Sequence, residues 1–526
     1  MSFERGRRSP SPSVNIPLDH LESNSHQRQS PYVENGPSGY RHGPYGKQSA
    51  PLSWPDWIDL MVVRLGVAVT PSFLQHRVGG QVPPPAKQHA IAALDGLRGW
   101  AALLVFNFHF LFTYTWKVAL GWGFNGENYA LWQLPIVHMA VSGHIMVAIF
   151  FVISGYVLSY KPLKTIRSRS WEQTFTTLAS GTFRRALRLY IPSIVGITLV
   201  LLAVRVGVYN YSQLVIEEGH TIQGTNEQHP KVFKTLYWQY WDFHETLATL
   251  MDPFNWALYY NYYNPHLWTI PVEFRCSVVL FLTMLGTSRL RSSMRMSLVG
   301  AMIWFCMRYG RWDVVLFLSG NLLAEADLIN GTWEQRPQSA TTTSSDHLFT
   351  TTLGPKWLPP QFRPSQRKFW IAVFIAGLYF GSCPNIGFKW TPFYMWLWDV
   401  TPWTYPEPHR FPQTIGAVLI ILGVNRSPEI QRLFTHPVSQ YLGKISFAFY
   451  IVHGPILHSL GYSLMPNIWS IIGKDSDFQY VLGFFIGWAM CLPLSIWLGD
   501  IYWRAVDIPS VKFARWLEDM VLVRTG

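Results

Sequence analysis

Long apolar runs dominate this chain, and their length decides what it can fold into. Stretches at roughly 97–116, 139–159, 187–206, 266–286, 295–309, 312–328, 368–382, 411–425, 441–461 and 480–503 are apolar enough to read as membrane helices. The fifth, seventh and eighth are the shortest. The expected fold is all-α: a polytopic integral membrane protein with about ten transmembrane helices. Only 14% of the residues are charged, against about 25% in an average soluble domain. The 25 tryptophans suit a chain that meets two membrane interfaces.

The net charge of +12 does not point to nucleic acid. The basic residues gather in short loops beside apolar runs, which is the pattern that sets membrane orientation. Lys161, Lys164, Arg167, Arg169, Arg184, Arg185 and Arg188 follow the second run, and Arg289, Arg291 and Arg295 follow the fourth. Arg363, Arg367 and Lys368 precede the seventh, and Arg426 and Arg432 follow the eighth. Even-numbered spans therefore end in the cytoplasm, as do both termini. The loop after the third run is acidic, with Glu217, Glu218, Glu227, Asp242 and Glu245. Arg308 and Arg311 run against the rule. The membrane is the endoplasmic reticulum or the plasma membrane.

The opening residues carry no apolar h-region, so the first span is expected to act as the insertion signal. Residues 1–52 are rich in Ser, Pro, Gly, Gln and Arg and read as a disordered cytoplasmic tail. Residues 53–89 read as an interfacial helix and linker, 90–504 as the transmembrane domain, and 505–526 as a cytoplasmic C-terminal tail. Residues 329–367 are a flexible cytoplasmic loop within that domain. Asn210-Tyr-Ser is a glycosylation sequon on the lumenal side. Cys276, Cys306, Cys383 and Cys491 form no Cys-x-x-Cys, so no disulfide framework and no metal site are expected.

Ionisable residues inside a membrane are costly and mark function. Arg98 and His109 share the first run. Eleven helical residues advance about 20° past three turns, so both face one side, roughly 16 Å apart. Arg98 then lies at the cytoplasmic surface and His109 near the middle. Glu273 lies roughly 10 Å from the outer end of the fourth span, and His453 roughly 18 Å into the ninth. The three occupy overlapping depths, where a carboxylate beside an imidazole would suit a general base. His453 and His144 also fit plain interhelical hydrogen bonds. Ser154-Gly155 fits close helix approach better than a nucleophile, and no Gly-x-Ser-x-Gly elbow is present. Arg184, Arg185 and Arg188 control topology. They also offer, with Arg98, an anion site for a phosphate-bearing donor. The aromatic clusters Tyr237-Trp-Gln-Tyr-Trp, Tyr259-Tyr-Asn-Tyr-Tyr and Phe393 through Trp403 read as an interfacial belt.

Five segments together resemble the acyltransferase 3 family of membrane O-acyltransferases, in a form like its fungal members. They are Leu94-Asp-Gly-Leu-Arg-Gly with His109, Phe150-Phe-Val-Ile-Ser-Gly-Tyr, Arg184-Arg-x-x-Arg-Leu-x-x-Pro192, His266-Leu-Trp-Thr-Ile-Pro-Val-Glu273-Phe, and Gly443-Lys-Ile-Ser-Phe-Ala-Phe-Tyr-Ile-Val-His-Gly-Pro455. The resemblance spans roughly residues 90–500. It implies transfer of an acyl group, acetyl first among them, from acyl-CoA to a hydroxyl of a carbohydrate, lipid or small-molecule acceptor. It makes His109 the base or acyl carrier and Glu273 a required carboxylate. Arg98, Arg184, Arg185 and Arg188 fall on the donor side, with Asp95, Ser154 and His453 in support. No tightly bound cofactor and no metal are implied. The family's second acid after the glutamate is replaced by Phe274-Arg275. A proton-coupled secondary transporter is the rival, since intramembrane His, Glu and Arg also suit proton relays. Transporters often carry inverted repeats, and none is visible here. The sequence names neither the acceptor nor the oligomeric state.

Overall fold

The computed structural model describes residues 66–75, 91–218, 229–258, 260–332 and 366–522. The tail at 1–52, most of the 53–89 linker and most of the 329–367 loop lie outside them. Apart from a lone bridge between Leu120 and Ile386, the regular structure among the described residues is helical. Each of the ten apolar runs falls on a helix. These are α1 (Ala92–Phe112), α2 (Gly143–Arg167), α3 (Trp171–Arg205), α4 (Thr269–Thr287), α5 (Ser292–Arg308), α6 (Trp312–Ile329), α7 (Gln366–Gly381), α8 (Arg410–Arg426), α9 (Pro437–Ile456) and α10 (Asp477–Tyr502).

Four helical segments are long and apolar enough to cross a membrane: Gly143–Arg167, Trp171–Arg205, Pro265–Thr287 and Asp477–Val521. The expected ten are not all reached on that measure, for two reasons. Helices α5, α7 and α8 have 17, 16 and 17 residues, or about 25 Å at 1.5 Å per residue, against a hydrocarbon core of about 30 Å. Helices α1, α6 and α9 are long enough but more polar, because they carry the ionisable residues described below. The segment read as a C-terminal tail contains a helix, Ile508–Val521, joined to α10 by a π-helical turn at Trp503–Asp507.

Local sequence explains several boundaries. Ser476 and Gln479 form a reciprocal capping box at the start of α10. Pro437 opens α9 at a position that needs no backbone N–H. Pro455 removes one N–H near the end of α9, and the chain continues through a π-helical turn at Leu457–Gly461. Asp95 sits in the first turn of α1, where a negative charge complements the helix dipole.

Small residues set the closest helix contacts, as they do where lipid supplies no hydrophobic drive. Helices α1 and α9 meet at Gly99 and Gly443. A Cβ on Gly99 would lie 2.4 Å from the Gly443 nitrogen, and one on Gly443 would lie 2.3 Å from the Asp95 carbonyl oxygen. This seam fixes the spacing between the helices that carry His109 and His453. Gly443→Val should therefore lower stability by about 1–3 kcal/mol through overpacking, read as a lower thermal midpoint in detergent. Helices α2 and α6 meet in the same way, since a Cβ on Gly155 would lie 2.2 Å from the Phe317 carbonyl oxygen. The structural reading of Gly155 holds.

The end of α6 is fastened by two buried acids. Glu325 pairs with Arg295 of α5 at 2.6 Å and with Arg167 of α2 at 3.6 Å. Asp327 pairs with Arg426 of α8 at 2.7 Å and accepts hydrogen bonds from Tyr156 and Asn425, each at 2.9 Å. At the start of α7, Arg367 pairs with Glu429 at 2.9 Å. The segment 66–75 docks on Asp500, which is buried and accepts from the Ser72 backbone N–H at 3.1 Å and from Tyr441 Oη at 3.0 Å.

Candidate active site

His109 of α1 lies beside two other imidazoles. Its ring centroid is 3.8 Å from that of His266 and 5.6 Å from that of His453, and the His266 and His453 rings are 4.7 Å apart. His458, in the π-helical turn after α9, is 5.5 Å from His266. His266 and His453 are buried, and His109 is half-buried. The sequence brought His109 and His453 to one depth, and the structure brings their rings together. It adds His266, in the 3-10 turn that leads into α4. That residue begins the segment ending at Glu273, but it sits at the span's outer boundary, so counting depth from the helix end gave it no weight. His458 lies five residues past His453, and only the π turn brings it to this group.

The backbone makes room for the cluster. A Cβ on Gly454 would stand 2.2 Å from His266 Nδ1, so only glycine lets α9 pass this close. His453 Nδ1 lies 2.7 Å from the Tyr450 carbonyl oxygen. A carbonyl only accepts, so Nδ1 is the donor. Tyr450 Oη donates to the His266 carbonyl oxygen and lies 2.8 Å from Thr269 Oγ1.

Glu273 is held by other partners. Ser154 donates to its Oε1 at 2.8 Å, and Arg185 donates to the same oxygen at 2.5 Å. Arg185 also donates to Ser277 at 3.1 Å. A carboxylate in an apolar interior needs a cation and hydrogen bonds, and α3 and α2 supply them. Tyr450 lies within electrostatic range of Glu273 and has its ring 5.6 Å from His453, so it adjoins both groups.

The four arginines read on the donor side take different ion-pair partners. Arg185 turns to Glu273, while Arg184 pairs with Glu518 of the C-terminal helix at 3.2 Å. Arg188 lies within electrostatic range of Arg185, Asp507, Arg98 and Arg184, and Asp507 lies within range of Arg188 and Arg98. Arg98 is 3.8 Å from Asp95 one helical turn away. Arg188 is thus in range of all three other arginines, and Asp507 is in range of both Arg188 and Arg98.

A second polar group lies near His144 of α2. Asn385 donates to His144 Nδ1 at 2.8 Å, and the His144 and His409 rings are 5.0 Å apart. Glu407 is 3.5 Å from His409 Nε2 and accepts from Arg410 at 2.8 Å. Burial, with Arg410 adding, holds the His409 imidazole well below its usual range, so it is neutral. His144 is hydrogen-bonded, though to the non-helical segment after α7 and not to a neighbouring helix. Arg275, which follows Glu273 by two residues, reaches Asp313 at 3.2 Å, and Arg311 reaches the same carboxylate at 2.6 Å. Both guanidiniums lie over the Trp256 ring, at 4.0 and 4.2 Å from its centroid. Asp313 therefore compensates Arg311, one of the two arginines that opposed the charge rule. Among the aromatic clusters, Tyr237, Trp238, Tyr240, Trp241 and Trp403 are exposed, as an interfacial belt requires.

Apolar helices thus close around a histidine cluster, with an ion-paired carboxylate on α4, in a helical protein of membrane character. The profile of an acyltransferase domain matches residues 91–500, and the chain belongs to the acyltransferase 3 family. An O-acetyltransferase of Phomopsis amygdali is 29% identical over 475 residues, covering 87% of this chain and 89% of that protein. Acyltransferases of a Phoma species and of Cochliobolus lunatus are 27% and 25% identical, each covering 82% of this chain and 96% of the relative. No solved structure matches this chain.

Proposed function

We propose that this protein is an acyl-CoA-dependent O-acyltransferase. It moves an acetyl group from cytoplasmic acetyl-CoA to a hydroxyl of a carbohydrate, lipid or small-molecule acceptor, through a bundle of about ten spans. The observation that carries the reading is the placement of His109 within a buried histidine cluster. An imidazole there can take a proton from a hydroxyl, and neighbouring imidazoles and Tyr450 can orient it. Glu273, neutralised by Arg185, fixes α3 and α4 beside the reacting group. Arg98 and Arg188 serve the phosphates of the donor, and Asp507 balances their charge until the donor arrives. The acetyl group is favoured because one relative is an O-acetyltransferase.

The test is transfer of label from radiolabelled acetyl-CoA to extracted metabolites by the purified, reconstituted protein. The acceptor emerges from comparing metabolites of a deletion strain with those of its parent. Solute uptake by the vesicles without any acyl transfer would remove the reading in favour of a transporter. The donor assignment has its own test. Arg188→Ala should raise KM for acetyl-CoA about tenfold or more with a smaller change in kcat, as expected for loss of a charge-assisted contact of about 1.5–3 kcal/mol. Arg184→Ala, which loses only its pair with Glu518, should leave KM nearly unchanged.

A further inference from the structure

We propose that His109, His266 and His453 together bind one divalent transition-metal ion, and that zinc is the ion that suits them. The three side chains come from α1, the turn before α4, and α9. Each offers one ring nitrogen, and these nitrogens lie within 4.8 Å of one another. Three imidazoles with a fourth position open make the donor set of a catalytic zinc site. Zinc–nitrogen bonds of about 2.0–2.1 Å in a tetrahedron put the donors about 3.3 Å apart, so side-chain shifts of about an ångström close the site.

Three further features fit a ligand set better than simple packing. His453 donates Nδ1–H to the Tyr450 carbonyl at 2.7 Å, the kind of outer-shell bond that orients a metal-binding histidine through its other nitrogen. Asn264 is buried at 1% exposure, with its Nδ2 bonded to the Ile451 carbonyl at 2.8 Å. Its Oδ1 has no hydrogen-bond partner. That oxygen and His266 Nδ1 flank the same point, 2.9 and 2.2 Å from where a Gly454 Cβ would stand. An unpaired buried carbonyl costs free energy, and a metal-oriented imidazole N–H or the ion itself would satisfy it. The site is also free of the obstacle seen at the other histidine group, His144, Glu407 and His409. There Arg410 bonds the Glu407 carboxylate and Asn385 occupies His144 Nδ1, so a cation would meet a guanidinium and a used lone pair.

The inference deepens the acyltransferase reading and rests on it only for what the ion would do. An acceptor hydroxyl in the fourth position would lose its proton more readily, as metal-bound water does, and its oxygen would attack the thioester carbonyl, with the proton ending on the CoA thiolate that leaves. His109 would then act by holding the ion. The test is metal content by elemental analysis of detergent-purified full-length protein prepared without chelator. A second sample is reconstituted with cobalt and read by the visible bands of four-coordinate Co(II). The expected result is one zinc per chain and a tetrahedral cobalt spectrum. Both should be lost in His266→Ala and in His453→Phe and kept in His244→Ala, an exposed histidine outside the cluster. If the cluster variants fail to fold, chelator titration of the unaltered protein reads the same stoichiometry. Metal-free protein that still transfers acyl groups overturns the metal site and leaves the acyltransferase reading standing. Equal metal in the cluster variants and the unaltered protein also overturns the site. One ion bound at the cluster with no acyl transfer upholds the site and removes the reading.

Discussion

His109→Ala should abolish acyl transfer while leaving the protein folded and membrane-inserted. Loss of a positioned general base lowers a rate by about 10²–10⁴-fold, and loss of a covalent carrier by more. The side chain is half-buried, so its removal takes away little packing and stability should change little. Gel filtration and a thermal midpoint matching the unaltered protein, with acetyl transfer reduced at least a hundredfold, is the expected pair of results. A folded variant with full activity would rule His109 out both as base and as carrier. The two roles separate on a further measurement. Incubation with labelled acetyl-CoA and no acceptor, followed by peptide mapping, should place label on the His109 peptide only if the acyl group rests there.

The second large effect concerns stability. Glu273→Ala leaves the Arg185 guanidinium in an apolar interior with Ser277 as its remaining hydrogen-bond acceptor. Removing one partner of such a pair costs about 3–5 kcal/mol, and Arg185→Ala should cost a similar amount. The double variant should melt well above the sum of the two losses, because the stranded charge is gone. Glu273→Gln keeps the donor from Ser154 and a neutral acceptor for Arg185, and should fall between. Thermal midpoints in one detergent measure all four. If both single variants melt like the unaltered protein while losing activity, the pair is purely a catalytic device and its structural role is excluded.

Sequence and structure agree best where the physics is local. Every apolar run became a helix, because backbone groups inside a hydrocarbon layer must be satisfied within the segment. The shared depth of His109 and His453 followed from counting residues along helices. What escaped the sequence depended on lateral neighbours. Glu273 was read as a companion to His109, but its observed partners are Ser154 and Arg185, and depth along a span does not say which helix lies beside it. Arg184, Arg185 and Arg188 looked like one patch at a helical end. Arg184 and Arg188 lie only about 40° apart on α3, yet Arg184 binds Glu518, Arg185 binds Glu273, and Arg188 lies in range of Asp507 and Arg98, because the acids that meet them come from other segments. Arg275 took the place of a family acid and found its own acid, Asp313, on α6, a pairing that no spacing in the sequence encodes.

The two acids at the end of α6 bear on how this protein can be engineered. Glu325 and Asp327 fasten the chain just before residue 333, and Arg367 fastens it just after residue 365. Both points are therefore held by ion pairs to α2, α5, α8 and the helix Pro428–Thr435. Closing a longer connection adds only about 0.6 kcal/mol for each doubling of its length. A fluorescent reporter or an epitope spliced between these anchors should leave the histidine cluster undisturbed, which makes this the natural port for a sensor of the protein's location and turnover.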